Sequence, residues 1–566
     1  MESHASLLLP NNVLDELVKI DSTLKDFPDK TFSYGTAGFR YDQSFLDKIA
    51  FRTAIMTCIL SMSKKGLPQG IMITASHNKH TDNGLKIAGN KGEMIFKSEE
   101  AYYEEIVNSK SLKETINTIC NRMNIQTQKC IVVFARDTRE SGGRLAKIIE
   151  SAVKAIPTCQ YKYYDIVTTP CLHFLTLMNQ MSFEKLPPNS KMVFQEDSIY
   201  WKFLSASFEG YNSFFDKHFK KEEPKNYEWN LSIDCSNGLS AHVKDNIAKL
   251  FKSFPQFKIT FINTEEDQKE KLNEHCGAEF VHKERQYPTN QIESSTKNLS
   301  FDGDVDRIIY YLHSSNSPIK LIDGDRLIVL YATMLNHFLS LLSKNLFAKF
   351  ISTVKIGIIT TAYANGALMD YVKTKLNCLE LVLAKTGVKY LHEKARNFDI
   401  AVYFEANGHG TIFVNEATNK KFEQLNCFVE TSRDSQVLEL MQYYITMFNS
   451  TTGDAISSLI ATESALRTLN LQLKDVSDMY QELYSKNAKV SVKNKNVFKP
   501  NDNETRLLEP VKVQNEIDTL VSKISKGRSF IRPSGTEDVV RIYAEGENQK
   551  EVDDVINKLI DVLKEY

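Results

Sequence analysis

Strand-like and helix-like hydrophobic patterns alternate along the whole chain. The clearest runs of β-branched and aromatic residues are 131–135, 231–235, 307–312, 356–360, 400–404 and 539–545. After the first of these runs, apolar residues at Leu145, Ile148, Ile149 and Ala152 follow the helical spacing i, i+3, i+4, i+7. A last amphipathic helix is predicted near 550–565. Strands alternating with helices predict an α/β fold.

The length of the chain predicts several domains. It has 566 residues, whereas single hydrophobic cores stop growing at roughly 250–300 residues. The polar, helix-poor stretch 183–197 predicts a domain boundary, and the stretch 494–507 predicts a surface loop inside the last domain.

Composition and charge exclude some classes of protein. The net charge of −1 gives no broad basic face for nucleic acid, and no window reaches the roughly 18 apolar residues of a membrane span. The N-terminus lacks the pattern of a secretory signal, so we expect a cytoplasmic protein. The nine cysteines form no C-x-x-C pair; this argues against a zinc ribbon or a disulfide framework, and most are expected to be small buried side chains.

The motif "TASHN" (74–78) follows a strand-like run and leads to "DNGLK" (82–86). A serine fixed and exposed at such a turn suits a covalent nucleophile or a phosphoryl carrier, which makes Ser76 a candidate. The alternative is a polar turn that caps a helix. The motif is not the G-x-S-x-G elbow of hydrolases.

The motif "DGDVDR" (302–307) places three aspartates at alternate positions. Carboxylates this close repel one another unless a cation neutralises them, which favours a hard divalent metal ion. A calcium EF-hand would need Gly and Glu where Arg307 and His313 stand, and we reject it. A solvated acidic turn remains the alternative.

Three further clusters suit phosphate or sugar recognition. In "RPSGTEDVVR" (532–541), two arginines flank a turn that can form an anion-binding nest, although P-S-G is also an ordinary β-turn. In "FEANGHG" (404–410), Glu and Asn can bind sugar hydroxyls, or the segment is only a hairpin turn. "YGTAGFR" (34–40) has small residues that let backbone approach a ligand, but a structural turn is the more common use. Signatures of P-loop ATPases, dinucleotide-binding dehydrogenases and zinc proteases are missing from the sequence.

Together these clusters resemble the α-D-phosphohexomutase superfamily, whose members carry a phosphoserine loop, a D-G-D-x-D-R metal loop, a sugar loop and a phosphate loop in this order. "ARDTR" (135–139) follows the serine motif here, whereas its counterpart usually precedes it. That order resembles the branch acting on N-acetylglucosamine phosphates. The same branch resemblance is carried by "TTPCLHF" (168–174), "LNEHCGAEFV" (272–281), "TAYANGAL" (361–368) and "KTGVKYLH" (385–392).

The likeness runs from about residue 31 to the C-terminus, with two departures. Lys79 stands where the family usually has proline, and Ala135 replaces a glycine. Neither change removes a reactive group, but both could alter the stiffness of a loop.

The resemblance implies four domains around a central cleft: three related mixed-sheet α/β domains and a smaller C-terminal α+β domain. We expect the phosphoserine domain at 1–183, the metal-binding domain at 184–315, the sugar-binding domain at 316–440 and the phosphate-binding domain at 441–566.

The resemblance also implies an activity. Such an enzyme is an isomerase that interconverts N-acetylglucosamine 6-phosphate and 1-phosphate through a phosphoserine and a 1,6-bisphosphate, and so supplies UDP-N-acetylglucosamine synthesis. One Mg²⁺ per active site is implied as cofactor, and the sugar 1,6-bisphosphate as activator and intermediate. The implied partners are sugar phosphates, with no nucleic acid, membrane or obligatory protein partner.

The resemblance assigns roles to individual residues. The implied metal ligands are phosphorylated Ser76, Asp302, Asp304 and Asp306. The implied catalytic group is Ser76, Lys86, Arg40 and His77, with Lys86 preferred over His77 as general base. The implied substrate-binding residues are Arg307, Glu405, Ala406, Asn407, His409, Arg532, Pro533, Ser534, Gly535, Thr536 and Arg541.

Three alternatives stay open at this point. The substrate could be a glucose or mannose phosphate, because recognition of the N-acetyl group cannot be seen in these residues. The chain could instead be a non-catalytic sugar-phosphate-binding protein. It could also be a hydrolase that releases phosphate to water.

Overall fold

The computed structural model of the chain describes residues 8–26, 28, 30–36, 38–186, 190–293, 296–313, 318–534 and 538–566. These residues form two compact units. Unit 1 comprises Met1–Glu209, Trp229–Ile319 and Asn449–Leu459; unit 2 comprises Gly210–Glu228, Lys320–Phe448 and Ile460–Tyr566.

The first sheet of unit 1 has five strands in the order β1-β3-β2-β4-β5. The strands are β1 (Phe39–Asp42), β2 (Gln69–Ile73), β3 (Asp82–Ala88), β4 (Cys130–Arg136) and β5 (Cys159–Ile166). Strands β2, β4 and β5 are parallel, whereas β3 runs antiparallel to both β1 and β2. The sheet is therefore mixed, and β2 delivers the serine motif at its carboxyl end.

Helices cover both faces of this sheet. They are α1 (Asn11–Thr23), α2 (Leu46–Ser63), α3 (Lys97–Val107), α4 (Leu112–Arg122), α5 (Gly142–Lys154) and α6 (Thr169–Phe183). Ile71 belongs to the core that includes α2 and α5, whereas a side chain at the neighbouring Gly70 would meet Thr176 of α6. Because successive strand residues point to opposite faces, α2 and α6 lie on opposite sides.

Helix α2 is buried on all sides, which explains its weak amphipathic pattern. The buried Arg52 of this helix forms an ion pair with an acidic side chain. The Arg52 guanidinium donates two hydrogen bonds to Asp21 of α1, at 2.9 and 2.8 Å. This bidentate pair holds α1 against α2.

The second sheet of unit 1 carries the aspartate motif. Its strands in this unit are β6 (Asn230–Asp234), β7 (Lys258–Ile262), β8 (Lys297–Phe301) and β9 (Ile308–Leu312), in the order β9-β8-β6-β7. Strands β7, β6 and β8 are parallel, and β9 is antiparallel to β8. The helices of this region are α7 (Ser198–His218), whose residues from 210 on belong to unit 2, α8 (Leu239–His242), α9 (Lys244–Leu250) and α10 (Ala278–Glu284).

Unit 2 begins its own sheet after β10 (Lys320–Ile322). Its strands are β11 (Ile356–Thr361), β12 (Glu380–Ala384), β13 (Ile400–Phe404) and β14 (Gly410–Val414), in the order β12-β11-β13-β14. Only β14 is antiparallel to its neighbour. The helices are α11 (Gly324–Leu341), α12 (Lys344–Thr353), α13 (Gly366–Lys375), α14 (Val388–Ala395), α15 (Thr418–Asn426), α16 (Ser432–Ile445), α17 (Ala455–Leu469), whose residues up to 459 belong to unit 1, and α18 (Leu473–Ser477).

The C-terminal part of unit 2 has a core of its own, built from residues between Val490 and Leu563. Its strands are β15 (Tyr484–Ser491), β16 (Lys499–Pro500), β17 (Leu507–Glu509), β18 (Arg528–Pro533) and β19 (Val539–Gly546). Strands β15, β19 and β18 form an antiparallel sheet in that order. The two helices are α19 (Val511–Val521) and α20 (Gln549–Leu563).

The predicted mixed-sheet α/β class is confirmed, and each predicted strand overlaps an observed one. The stretch 494–507 is not simply a loop, because it contains a short 3₁₀ helix (Lys495–Val497) and β16. The predicted boundary at 183/184 coincides with the end of α6, whereas the one at 440/441 lies within α16; the domain boundaries stay predictions. Among the described residues, no helix combines the length and the apolar character needed to span a bilayer.

Candidate active site

Ser76 lies on the tight turn that follows β2. Its φ of +53° is in the left-handed region, which a residue other than glycine seldom adopts. The backbone N–H of Ser76 donates to Thr74 Oγ1 at 3.0 Å, which stabilises this turn. The expectation that Ser76 is exposed is wrong, because its side chain is fully buried. The loop 302–307 covers it, and Ser76 Oγ donates a 2.7 Å hydrogen bond to Asp302 Oδ2.

A single buried arginine holds the backbone of this serine loop. Arg139 donates to the carbonyl oxygens of Ser76, Asn78, Lys79 and Asp82, at 2.9, 2.8, 2.6 and 2.9 Å. Its Nε also donates to Asp137 Oδ2 at 2.9 Å. Both residues belong to the "ARDTR" motif, from which no role for them was predicted.

The three aspartates form a compact loop between β8 and β9. Asp302 Oδ1 accepts hydrogen bonds from the backbone N–H groups of Asp306 (3.0 Å) and Arg307 (3.1 Å). Lys86 Nζ, from β3, lies 2.6 Å from both Asp304 Oδ2 and Asp306 Oδ2. The positive φ of Val305, +67°, marks the tight turn that brings the carboxylates together.

The aspartates and Lys86 set one another's ionisation. Burial is the main cause that raises the pKa of Asp302, and the carboxylates of Asp306 and Asp304 add to it. Burial by itself would lower the pKa of Lys86, but Asp304 and Asp306 outweigh it and raise that pKa. Lys86 is therefore an ammonium ion that neutralises this carboxylate group.

The donor chemistry of this loop fits a hard divalent cation. One carboxylate oxygen from each of Asp302, Asp304 and Asp306 lies within 4.8 Å of the others. Within the described part of the chain, the buried Asp304 Oδ1 has no hydrogen-bond partner. Three carboxylates that leave coordination positions for other oxygens are typical of Mg²⁺ sites.

Cationic residues surround the same loop. Arg307 forms an ion pair with Glu279, at 2.7 Å. Arg40 of β1 lies close enough to Arg307 and the three aspartates for their charges to change the pKa of Arg40. Burial and then Arg307 lower the pKa of Arg40, while the three carboxylates oppose them. Positive groups therefore lie around the buried serine, where a phosphate would need them.

His77 follows Ser76 and is neutral. Burial, followed by the charge of Arg307, lowers the pKa of His77 to about 3. Its Nδ1 lies 3.4 Å from Ser76 Oγ. In this arrangement the imidazole is neutral and a weak base, whereas Lys86 is an ammonium ion.

Two residues missed from the sequence support these loops. Thr169, at the start of α6, donates through Oγ1 to Asp304 Oδ2 at 2.5 Å. Asn273 donates through Nδ2 to the carbonyl oxygens of Ser76 and Asn78, both at 3.0 Å. Both residues stand in segments that carried the family resemblance, and this was the only signal available for them.

The predicted sugar loop lies in unit 2, between β13 and β14. Glu405, Ala406 and Asn407 are half-buried, and His409 is buried. Glu405 N–H donates to His409 O at 2.9 Å, and His409 N–H donates to Asn407 Oδ1 at 3.1 Å. These two hydrogen bonds connect Glu405, Asn407 and His409 within the hairpin.

The predicted phosphate loop joins β18 to β19 in unit 2. Arg532 and Arg541 are directly opposite in the antiparallel pair, where like charges repel unless an anion lies between them. Pro533 ends β18, and Ser534 N–H donates to Val539 O at 2.9 Å. Gly535 and Thr536 lie outside the described residues.

Arg532 is held by two neighbours within unit 2. Its Nε donates to the Tyr363 hydroxyl at 3.2 Å, and the guanidinium lies over the Tyr363 ring. Glu504 Oε2 lies 3.7 Å from the same Nε. Glu504 in turn accepts hydrogen bonds from the N–H and Oγ1 of Thr386, at 3.0 and 2.7 Å.

The structure thus groups the predicted residues in two sets, one in each unit. Unit 1 brings Ser76, His77, Lys86, Arg40, Arg307 and the three aspartates together, and unit 2 holds the sugar loop and the phosphate loop. The chemistry of the first set suits phosphoryl transfer from an oxygen nucleophile next to a divalent cation.

Family comparisons assign both sets to known domains. "Phosphoglucomutase/phosphomannomutase, alpha/beta/alpha domain I" matches residues 47–114, and the C-terminal domain of the same description matches residues 487–562. "Phosphoacetylglucosamine mutase AMG1, domain II" matches residues 191–309, and domain III matches residues 323–471.

Curated relatives match along nearly their whole length. The phosphoacetylglucosamine mutase of Candida albicans is 35% identical over 551 residues, covering 94% of this chain and 96% of the relative. The Homo sapiens phosphoacetylglucosamine mutase is 33% identical over 536 residues, covering 93% and 92%.

Solved structures share the fold. Aspergillus fumigatus N-acetylphosphoglucosamine mutase has a TM-score of 0.89 at 30% identity, covering 99% of each chain. The same enzyme in complex with GlcNAc-6P and magnesium has a TM-score of 0.86 at 31% identity, covering 98% of this chain and 99% of that one. An N-acetylglucosamine-phosphate mutase in its product complex gives 0.84 at 33% identity, covering 98% and 100%.

These matches and the site define an enzyme of the α-D-phosphohexomutase superfamily, to which the last of these structures is assigned. Such enzymes are phosphomutases, a kind of isomerase. Within the superfamily, this chain belongs to the phosphoacetylglucosamine mutase family.

Proposed function

We propose that this chain interconverts N-acetylglucosamine 6-phosphate and N-acetylglucosamine 1-phosphate, with Ser76 as the phosphoryl carrier. The observation that carries the proposal is the position of Ser76 Oγ, 2.7 Å from Asp302 within the three-aspartate loop. A hydroxyl held there can carry a phosphoryl group next to a cation. The family membership supports the amino-sugar substrate.

The reaction proceeds in two balanced transfers. In the first, the P–O bond to Ser76 Oγ breaks and a P–O bond to the free sugar hydroxyl forms, giving the 1,6-bisphosphate. The hydroxyl loses its proton, and Ser76 Oγ regains one. In the second transfer, the P–O bond between the other phosphate and the sugar oxygen breaks, and a P–O bond to Ser76 Oγ forms. Ser76 Oγ loses its proton, and the released sugar oxygen gains one. The products are the isomeric monophosphate and the phosphoenzyme.

The residues around Ser76 position and neutralise the phosphoryl group. Asp302, Asp304, Asp306 and the serine phosphate would hold a Mg²⁺ ion, which stabilises negative charge on the phosphoryl oxygens when bound. Arg40 and Arg307 supply fixed positive charge around the same loop. Arg139 fixes the serine backbone through the four carbonyl contacts described above.

The proton of the attacking hydroxyl needs a neutral base. His77, with its pKa lowered to about 3, is neutral near pH 7 but a weak base; its Nδ1, 3.4 Å from Ser76 Oγ, can hold a hydrogen bond to the carrier oxygen. Lys86 can act as the base only after its ammonium is released from Asp304 and Asp306. We assign the charge-neutralising role to Lys86 in the arrangement described.

Unit 2 supplies recognition. Arg532, Arg541 and Ser534, with Pro533, Gly535 and Thr536 of the same loop, bind the phosphate that is not being transferred. Glu405, Asn407 and His409, with the backbone at Ala406, bind the sugar hydroxyls. Because both transfers must use one phosphate anchor, the sugar loop must accept the sugar in either orientation.

The test is a comparison of three substrates by ³¹P NMR. Purified enzyme with Mg²⁺ and a trace of glucose 1,6-bisphosphate receives N-acetylglucosamine 6-phosphate, glucose 6-phosphate or mannose 6-phosphate. We expect the fastest appearance of a sugar 1-phosphate signal from the N-acetylated substrate. Release of inorganic phosphate would indicate a hydrolase, and no conversion of any sugar would indicate a non-catalytic binding protein; either result contradicts the proposal.

We also propose a cytoplasmic location. All nine cysteines are free thiols, as is usual in a reducing compartment. Fractionation of cells that express the tagged chain tests this location.

A further inference from the structure

Three cysteine thiols converge in the first sheet region of unit 1, away from every residue given a role above. Cys58 lies in α2, Cys130 is the first residue of β4, and Cys159 is the first residue of β5. Cys130 and Cys159 are directly opposite in the parallel pair of strands. The three sulfur atoms lie within 4.8 Å of one another.

The distance between two of the sulfurs excludes a covalent bond and is compatible with ligation of one metal ion. Cys58 Sγ and Cys159 Sγ are 3.8 Å apart, whereas disulfide sulfurs are about 2.05 Å apart. Two thiolate sulfurs bound at about 2.3 Å to one tetrahedral zinc ion lie roughly 3.8 Å from each other.

The surroundings favour a soft cation. Cys58 and Cys130 are almost completely buried, with 0% and 1% exposure, in a core of aliphatic and aromatic side chains. Cys159 is half-buried, so its side of the cluster is the one nearer to solvent.

We propose that Cys58, Cys130 and Cys159 form a binding site for one thiophilic divalent ion of the zinc class, with the fourth coordination position open on the Cys159 side. Thiolate ligands select such ions over Mg²⁺. The bound ion connects α2 to the first residues of β4 and β5.

The site is structural rather than catalytic. Cys130 starts β4, whereas Arg136 ends it and Asp137, which supports the serine loop, follows directly. Six residues of extended strand span about 20 Å. The ion would therefore lie at the opposite end of β4 from Ser76, and the proposal does not depend on the proposed function.

The test uses the full chain, stripped of metal and saturated with Mg²⁺ so that the aspartate loop is occupied. Cd²⁺, which stands in for zinc, is titrated while the thiolate-to-cadmium charge-transfer absorption is recorded. We expect the absorption to saturate at one equivalent of Cd²⁺ and to decrease when Zn²⁺ competes. Cys58→Ala and Cys159→Ala should each weaken binding at least about tenfold. Cys120→Ala is the matched control, a buried cysteine outside the cluster, and should bind as the wild type does.

A second measurement needs no substitution and so avoids any folding defect of the variants. The wild type is alkylated with a maleimide with and without one equivalent of Cd²⁺, and each cysteine is quantified by mass spectrometry. Protection of Cys159, with no protection of the exposed Cys427, supports the site. Equal alkylation of Cys159 in both samples, or charge-transfer absorption that the cluster variants leave unchanged, overturns it.

Discussion

Arg139 is the residue on which the shape of the serine loop depends. It is 1% exposed and uses its guanidinium to bind Asp137 and four backbone carbonyl oxygens. Only a planar group with five donors can satisfy this many acceptors at once. Arg136, three residues earlier, binds Asp165 near the surface and gives a matched comparison.

We predict a large difference between Arg139→Ala and Arg136→Ala. Arg139→Ala leaves the buried Asp137 without its cation, so the free energy of unfolding should fall by about 3–5 kcal/mol. Because Ser76 is also displaced, kcat should fall by roughly a hundredfold. The second removes a partly exposed pair and should cost less than about 1 kcal/mol. Urea unfolding and steady-state rates measure both effects. Similar unfolding midpoints for the two variants would contradict this role for Arg139.

We predict that the protein loses stability in acid because His173 is buried in its neutral form. Burial lowers the pKa of His173 to about 4, and its Nδ1 contacts Gly92 O at 2.6 Å. The folded pKa lies below the unfolded value of about 6.5, so the folded state binds fewer protons. The stabilisation is complete above about pH 6.5 and is lost as pH falls towards 4, by roughly 2 kcal/mol between pH 6.5 and 5.

The variant His173→Gln tests this pH dependence. It removes the titrating group and should lose about 2 kcal/mol less than the wild type between pH 6.5 and 5 in urea unfolding. His242→Gln, at an exposed histidine, is the control and should follow the wild-type profile. Identical pH profiles for wild type and His173→Gln would refute the prediction.

At the level of secondary-structure elements, Glu504 can compete with a substrate phosphate for Arg532 of the β18–β19 hairpin. The Glu504 carboxylate lies 3.7 Å from Arg532 Nε, where it can compete with the oxygens of a substrate phosphate. Glu504 is positioned by Thr386, so the loop after β12 and the loop after β16 act together on this arginine.

We predict that Glu504→Gln binds phosphate more tightly. Gln keeps an acceptor for Thr386 but removes the competing charge, so the Kd of inorganic phosphate should fall about fivefold, the equivalent of roughly 1 kcal/mol. Asp538→Asn removes the same charge from a side chain that is 97% exposed and pairs with Lys495, and it should change the Kd little. Isothermal titration measures both. Equal Kd values for the two variants would show that Glu504 does not compete.

The elements themselves were largely predictable from the sequence, and their long-range contacts were not. The strand 400–404 was predicted with its observed limits, and α5 followed from the spacing of Leu145 and Ile149. These features depend on local periodicity. The burial of Ser76 depends on Asp302, which is 226 positions away, and no local pattern reports such a contact. The contact of Thr169 with Asp304 could not be predicted either, because the two residues are 135 positions apart.

At the scale of the whole molecule, we propose domains close to those expected, with one shifted boundary. The expected limit at 440/441 would cut α16, whereas domains are usually joined in exposed linkers. The buried residues of the C-terminal core begin at Val490, with Ala488 of β15 packed against them, and the domain III match extends to residue 471. We therefore propose that the last domain begins near β15.

We predict that the fragment 484–566 folds by itself and the longer fragment 441–566 does not. The longer fragment carries α17, whose buried residues Ile456, Leu459 and Ile460 would be exposed. The shorter one should be monomeric and unfold cooperatively in urea, and the longer one should aggregate. Size-exclusion chromatography and circular dichroism measure these properties. If fragment 441–566 unfolds cooperatively and fragment 484–566 does not, the result would favour the boundary at 440/441.

The central claim is that Ser76 carries the phosphoryl group. Enzyme incubated with ³²P-labelled glucose 1,6-bisphosphate and Mg²⁺ should incorporate one label per chain, located at Ser76 by mass spectrometry, and transfer it to N-acetylglucosamine 6-phosphate. Ser76→Ala should fold normally, incorporate no label and lose turnover by roughly a thousandfold or more. Label at another residue, or normal turnover by a pure Ser76→Ala sample, would contradict the account.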